Sequence, residues 1–151
     1  MIDGGGSMGY SVGKQVLKPY LLKNGVRKLD GIFVTHLHTD HYRGAAELCG
    51  EGMADRLFLY EGNRIKEEKV LEETGLDAGQ LTYLYGGQMV KLSEDVGVEV
   101  LWPDRRTEPE YRKLAEDEED ENGSSLVLRV LVEEKTLLMT GDIDEECQEE
   151  L

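Results

Sequence analysis

The chain has 151 residues, of which 39% are hydrophobic, and we expect residues 1–151 to form one domain with a buried core. The formal net charge of −15 argues against a broad basic face that binds nucleic acid, so a polyanionic substrate would need a metal ion to supply positive charge. The apolar runs are only as long as strands, which excludes a membrane-spanning helix.

The N-terminal segment is predicted to form the end of a strand, a glycine loop and a helix. Residues 1–3 end the strand, and the glycines at 4–6 permit positive φ angles and the close approach of another backbone. Ser11 caps a helix over residues 11–23, which Pro19 kinks and Asn24 ends together with the following glycine.

The middle of the chain alternates strands and helices in this prediction. An apolar strand over residues 31–35 runs directly into a histidine-rich loop, and residues 43–48 start the next helix. Residues 56–60 form a further strand, followed by a helix over residues 64–74 that Gly75 ends.

The later elements are predicted to be mainly strands. Residues 81–92 indicate a hairpin that turns at Gly86 and Gly87, and residues 96–102 alternate as a strand that a proline stops. A second hairpin joins residues 124–132 to residues 136–140.

A charged connection occupies residues 105–121 and ends in six consecutive acidic residues. We interpret it as a solvated loop with a helix over residues 110–115, because no Asp-x-Asp-x-Asp-Gly register supports a calcium site. Another helix begins at Asp144.

Cysteine content and the N-terminus indicate little about the cellular compartment. Cys49 and Cys147 are too few and too isolated for a disulfide framework or a cysteine-rich zinc site, so we expect ordinary thiols. Residues 1–4 lack the basic and apolar segments of a signal peptide. Localisation therefore stays open from the residues alone.

All three histidines of the chain lie in the segment His36-Leu37-His38-Thr39-Asp40-His41. Residues two apart in an extended segment point to the same side, so His36 and His38 can face one metal ion. Asp40 and His41, in the turn that follows, can reach a second. Imidazole and carboxylate are natural ligands for zinc, or for manganese or iron when oxygen ligands dominate. The alternative, a set of surface or helix-capping histidines, does not explain such clustering.

Asp142 is the fifth candidate metal ligand, because it follows an apolar strand and Gly141 and can expose a carboxylate at the sheet edge. It could bridge two metals, although a Gly-Asp pair after a strand is commonly just a turn. A water between two cations loses its proton near neutral pH, and this metal-bound hydroxide would attack the substrate. We count Asp40 and His41 as catalytic as well as metal-binding residues.

These residues resemble the metallo-β-lactamase superfamily, whose hallmark is His-x-His-x-Asp-His at a strand end and a later strand that ends in Gly-Asp. The resemblance implies an α/β fold, an αββα sandwich with metal between its loops. Within the superfamily the chain is most similar to the soluble domain of ComEC-type competence proteins. The local likenesses are Ile2-Asp3-Gly4-Gly5, Leu29-Asp30-Gly31-Ile32, Leu101-Trp102-Pro103, Glu121-Asn122, Ser124-Ser125-Leu126-Val127-Leu128-Arg129 and Leu137-Leu138-Met139-Thr140-Gly141-Asp142.

The resemblance implies a metal-dependent hydrolase with one or two Zn²⁺ ions, or Mn²⁺, that cleaves phosphodiester bonds in DNA during uptake. It implies single-stranded DNA as a partner, and a membrane-embedded parent protein that holds this domain outside the cytoplasm. Asp3 would orient the ligand loop, although a plain strand-ending turn explains it equally well. Trp102 is a candidate for base stacking, with core packing as the simpler interpretation.

The chain departs from the family pattern at several points. Competence proteins often have Asp in place of His38, and Ala45 replaces a common glycine. Family members have strands before the position of Met1 and a further histidine segment after the Gly-Asp strand, so the resemblance implies a domain incomplete at both ends. Asn122 or Ser124 could supply a weak oxygen ligand, although Asn in such a loop more often holds a turn.

Two rival functions remain open at this point. A small-molecule hydrolase acting on a lactam, lactone or thioester would share the metal loop, and the negative charge favours it. A non-catalytic module of a DNA-uptake channel would keep the fold without a working site. The intact histidine motif argues against the module, and the missing distal ligands argue for it.

Overall fold

The computed structural model describes residues 1–104, 113, 115 and 121–150, and these residues form two β-sheets with helices against them. The first sheet is parallel, in the order β1-β2-β3, and the second is antiparallel, in the order β4-β5-β6-β7. The strands are β1 (Ile32–Phe33), β2 (Leu57–Tyr60), β3 (Leu81–Leu84), β4 (Met89–Lys91), β5 (Val96–Trp102), β6 (Val127–Val132) and β7 (Lys135–Met139). Ile2 extends the first sheet by one parallel bridge to Phe33.

The helices lie mainly in the connections of the first sheet. They are α1 (Lys18–Lys23), which a π-helical turn (Gly13–Leu17) precedes, α2 (Thr39–Gly50), α3 (Glu67–Thr74) and α4 (Glu145–Glu150). Short 3₁₀ turns occupy Glu61–Lys66, Ala78–Gln80 and Glu121–Ser124. Among the residues that the structure describes, no helix is both long and apolar enough to cross a bilayer.

Both faces of the first sheet are covered, which is why all four residues of β2 are buried. On one face Ile32 and Leu57 pack with helix residues that include Leu48 and Val70. On the other face the ring of Phe33 stacks on Phe58 at 4.2 Å between centroids, in a cluster with side chains of β5 and β6. The predicted α/β architecture is therefore confirmed.

The glycine loop makes the close backbone approach that was predicted, and the backbone that it meets belongs to the first turns of α2. Gly4 N donates to His41 O at 2.7 Å, and Gly44 N donates to Gly5 O at 2.8 Å. A Cβ atom on Gly4 would overlap backbone atoms of Ala45, and one on Gly44 would overlap the carbonyl group of Gly4. Because these glycines have no side chains, the loop packs closely against α2. Asp3, the residue before Gly4, therefore lies beside the histidine segment.

The predicted hairpin over residues 81–92 is wrong. Strand β3 pairs in parallel with β2, and β4 pairs with β5 in the other sheet, so the chain changes sheets at Gly86 and Gly87. Residues of β3 are buried between helices and the second sheet, and β4 is largely exposed. The two strands therefore differ in burial as well as in the sheet to which they belong.

Two details of the helices also differ from prediction. Ser11 makes no side-chain cap; instead Gly13 N donates to Glu47 Oε2 at 2.7 Å. Pro19 lies in the first turn of α1, where a missing N–H costs little, and the change from π-helix to α-helix falls just before it. The predicted helix ends are confirmed, with Gly25 at φ 80° and Gly75 at φ 69°.

Helix α2 begins at Thr39, four residues earlier than its predicted start, so Asp40 and His41 lie in a helical turn rather than in a loop. The predicted helix over residues 110–115 falls largely outside the described residues, of which Lys113 and Ala115 are helical. The same holds for most of the predicted charged loop over residues 105–121.

Three buried side chains, Trp102, Cys49 and Cys147, resolve smaller questions. Trp102 is buried and its Nε1 donates to Gly123 O at 3.2 Å, so the core interpretation is correct and base stacking is wrong. Neither Cys49 nor Cys147 forms a disulfide, as expected. The Cys147 thiol contacts the same Gly123 carbonyl at 3.4 Å.

Candidate metal centre

Three of the five predicted ligands meet at one point. The potential ligand atoms of His36, His41 and Asp142 all lie within 4.8 Å of one another. His36 follows β1, His41 lies in the first turn of α2, and Asp142 follows β7 and Gly141, whose φ is 57°. His41 Nε2 is 3.2 Å from Asp142 Oδ2. The two sheets therefore contribute to a single cluster of imidazoles and carboxylate.

The other two predicted ligands lie at the rim of this cluster. The His38 ring packs edge-on against the His36 ring, at 4.7 Å between centroids, and is partly exposed. The Asp40 side chain is 73% exposed, and its Oδ2 is 4.0 Å from His41 Nε2. Both are near the three-residue group without belonging to it.

Asp3 orients residues of this cluster through hydrogen bonds. Its Oδ1 accepts a hydrogen bond from Thr35 N at 2.8 Å, and its Oδ2 accepts one from Thr35 Oγ1 at 2.9 Å. Oδ2 also lies 2.8 Å from His41 Nδ1, which places the His41 proton on Nδ1 and turns Nε2 towards Asp142. Asp3 adopts a positive φ of 48° to reach these partners.

His36 has the environment of a ligand rather than of a core histidine. Its Nδ1 is 3.1 Å from Thr35 Oγ1, whose own proton goes to Asp3, so His36 donates from Nδ1. Its Nε2 is buried and has no hydrogen-bond partner in the described part of the chain. A buried nitrogen lone pair without a protein partner is costly unless a water molecule or a metal ion binds it. The residues present therefore fit a divalent cation.

The pKa values of His36 and His41 shift in opposite directions. Burial, together with the neighbouring His41 and His38, lowers the pKa of His36 to about 4, so His36 is neutral at physiological pH. Burial also lowers the pKa of His41, but the hydrogen bond and charge of Asp3, with help from Asp142 and Asp40, raise it above its ordinary value. Below this raised pKa, a metal ion at the site would compete with a proton for His41.

Glu121, a fully buried carboxylate next to the histidine loop, was not among the predicted site residues. Its Oε1 accepts hydrogen bonds from Leu37 N and Asn63 Nδ2, each at 3.1 Å, and its Oε2 pairs with Lys66 Nζ at 3.0 Å. In the sequence it is the last of six consecutive acidic residues, a pattern typical of a solvated segment. Only its position beside Asn122, in a segment shared with the competence family, distinguished it.

The suggested oxygen ligands have different surroundings. Ser124 Oγ donates to Glu121 O at 2.8 Å and so closes a turn. Asn122 Oδ1 is buried and makes no hydrogen bond with the described residues. A role for Asn122 as a ligand stays a prediction.

Comparison with known proteins agrees with this geometry. Residues 1–151 match the family model of the metallo-beta-lactamase superfamily. The chain belongs to this superfamily. Its members are generally hydrolases and typically bind metal ions.

The chain is also 28% identical over 165 aligned positions to ComE operon protein 3 of Bacillus subtilis (strain 168). The alignment covers 100% of the chain and 20% of that protein, so the chain spans about a fifth of the length of its relative. This match agrees with the predicted resemblance to ComEC-type competence proteins.

Proposed function

We propose that this chain is a metal-dependent hydrolase domain that cleaves phosphodiester bonds in single-stranded DNA during DNA uptake. The observation that supports it most is the convergence of His36, His41 and Asp142 within 4.8 Å, with the buried Nε2 of His36 unpaired among the described residues. The competence resemblance supports DNA as the substrate, and by the same resemblance the parent protein is membrane-embedded and holds the domain outside the cytoplasm.

The proposed ligands are His36, His41 and Asp142, with His38 and Asp40 at the rim to complete a second metal position. Nitrogen ligands with carboxylates suit Zn²⁺, as one or two ions, and a larger share of carboxylate would suit Mn²⁺. A bound cation would supply Lewis acidity and lower the pKa of water near the scissile bond.

The chain's own residues prepare the site in three ways. Asp3 and Thr35 hold His36 and His41 in the tautomers that present Nε2 to the cluster. Burial keeps His36 neutral, so its lone pair is available. The exposed Asp40 carboxylate, 4.0 Å from His41 Nε2, is suitably placed to accept a proton from attacking water.

A small-molecule hydrolase is the second candidate, and the charge of the chain favours it. With a net charge of −15, the surface repels a long polyanion such as DNA far more than a neutral lactone or thioester. The same five residues would act in both cases, so substrate rather than site distinguishes the two.

The test compares the wild-type chain with His36→Ala, Asp142→Ala and the double variant. Each is incubated with Zn²⁺ or Mn²⁺ and fluorescent single-stranded DNA, and in parallel with a lactone and a thioester. We expect metal-dependent DNA cleavage that the double variant abolishes, whereas Asp95→Asn, on an exposed turn, retains it.

Undiminished cleavage by the double variant would exclude this site as the catalytic centre. Cleavage of the lactone or thioester alone would establish the small-molecule hydrolase. Metal binding without any hydrolysis would favour a non-catalytic module of an uptake channel.

A further inference from the structure

We propose that Glu121 is a positioning residue that fixes the metal-binding loop through the backbone amide of Leu37. This inference rests on the proposed function in one respect, namely that the histidine loop binds metal. Glu121 acts on the peptide backbone between the two histidines, because its carboxylate accepts a hydrogen bond from Leu37 N.

The carboxylate is built into the interior. Glu121 is 2% exposed. Its oxygens accept hydrogen bonds from the backbone amide of Leu37, the side-chain amide of Asn63 and the ammonium group of Lys66. Lys66 is itself only 14% exposed. A buried carboxylate is tolerated only when its charge is balanced and its lone pairs are satisfied, and these three donors meet both needs.

Leu37 is held from two sides. Its side chain packs against the core cluster between the first sheet and the helices, and its N–H donates to Glu121. The residue therefore has little freedom to rotate. Because successive side chains of an extended segment point in opposite directions, a fixed Leu37 also fixes the direction of His36 and His38.

The same carboxylate joins the two sheets beside the metal ligands. Asn63 and Lys66 lie in the 3₁₀ turn that follows β2 in the first sheet, and Glu121 begins the segment that leads into β6 of the second. Strand β6 pairs with β7, which ends just before Asp142. The Glu121 contacts thus help to set the position of Asp142 relative to the histidine loop.

The first measurement is zinc affinity, obtained by competition with a chromophoric chelator. Outer contacts that orient metal ligands typically change affinity by about 10–100-fold. We expect Glu121→Ala to weaken zinc binding by about tenfold or more. Glu121→Gln should lose less, because its amide oxygen still accepts from Leu37 N. The matched control is Glu99→Gln, which breaks the Glu99–Arg129 ion pair between β5 and β6 and should leave affinity unchanged.

The second measurement needs no metal. Hydrogen exchange at the Leu37 amide, followed by NMR in the metal-free protein, should accelerate in Glu121→Ala and stay unchanged in Glu99→Gln. A wild-type chain that binds no zinc would contradict the proposed function, and the Leu37 exchange rate would still test the positioning role.

The inference is overturned if folded Glu121→Ala shows wild-type zinc affinity and wild-type Leu37 exchange. Should that variant fail to fold, the double variant Glu121→Met with Lys66→Met provides the same comparison, because it removes the acceptor of Leu37 N without leaving the Lys66 charge buried and unpaired. It is measured where the native state is fully populated. Wild-type zinc affinity and wild-type Leu37 exchange in this double variant would equally overturn the inference, and weaker affinity with faster exchange would support it.

Discussion

The carboxylate of Asp3 lies 2.8 Å from His41 Nδ1, on the side of the ring opposite Asp142. Asp3 also holds the backbone and hydroxyl of Thr35, whose oxygen lies beside His36 Nδ1. One carboxylate therefore orients His41 directly and His36 through Thr35, although it is not itself among the potential ligands that converge.

We expect Asp3→Ala to weaken zinc binding by about 10–100-fold, because both histidines lose the partner that sets their tautomer and direction. The zinc affinity of Asp3→Asn should lie between those of Asp3→Ala and the wild type. Chelator competition measures both, with Asp95→Asn as the exposed control. Equal zinc affinity in Asp3→Ala and wild type would show that the ligand loop is oriented without Asp3.

Gly4→Ala should destabilise the fold by about 3 kcal/mol, because a Cβ atom there overlaps the backbone of Ala45 and cannot be accommodated by rotating a side chain. Urea unfolding of the metal-free protein measures the loss. The control is Gly79→Ala, where a Cβ atom would meet open space and φ is not positive, so stability should hold or rise. Similar effects of the two substitutions would contradict the close packing at Gly4.

Stability of the metal-free protein should fall as the pH decreases from 6.5 to about 4. Burial depresses the folded-state pKa of His36 to about 4, so over this interval the unfolded chain takes up a proton that the folded chain does not. His41 behaves in the opposite sense: its raised pKa contributes stability that is complete below 6.5 and lost as the pH rises through its folded value.

Urea unfolding at several pH values, with chelator present, would measure both slopes. The His36→Gln variant should show a shallower decline on the acidic side than the wild type. An NMR titration of the His36 ring gives an independent check, and a midpoint near 6.5 would contradict the buried neutral state.

Lys66→Met should cost about 3–5 kcal/mol of unfolding free energy, because it leaves the Glu121 charge buried without its cation. Lys66→Met combined with Glu121→Gln should recover part of this loss. Lys18→Met, which removes a partly exposed pair with Glu51, should cost much less because water screens that pair. If Lys66→Met lost as little unfolding free energy as Lys18→Met, the Glu121 charge would be solvated by water rather than buried.

The histidine loop could be predicted from sequence because its chemistry is concentrated in six adjacent residues. Their roles could not all be assigned, because helix α2 begins at Thr39. Successive helical residues differ by about 100° around the axis, so His41 turns into the site while Asp40 turns outwards. If both are treated as loop residues, their side chains are predicted to have equal access to the metal.

The glycine loop was also predictable, since three consecutive glycines leave few explanations other than turns and close backbone contact. Glu121 was not, because its partners come from positions 37, 63 and 66, far away in the chain. The exchange of sheets after β3 escaped prediction for a related reason: two short apolar runs joined by glycines indicate a hairpin until the sheets on either side are known.

His41 and Asp142 are separated by 101 positions in the chain and by 3.2 Å in space. The histidine segment is contiguous in the chain, from the end of β1 into the start of α2. Asp142 comes close to it only when the long intervening chain has folded, and contacts of such large sequence separation form slowly. A cation that requires both partners would bind the assembled chain and not a half-formed one. Its binding energy would therefore add directly to the stability of the folded state. Metal binding would also indicate that the two sheets have packed together.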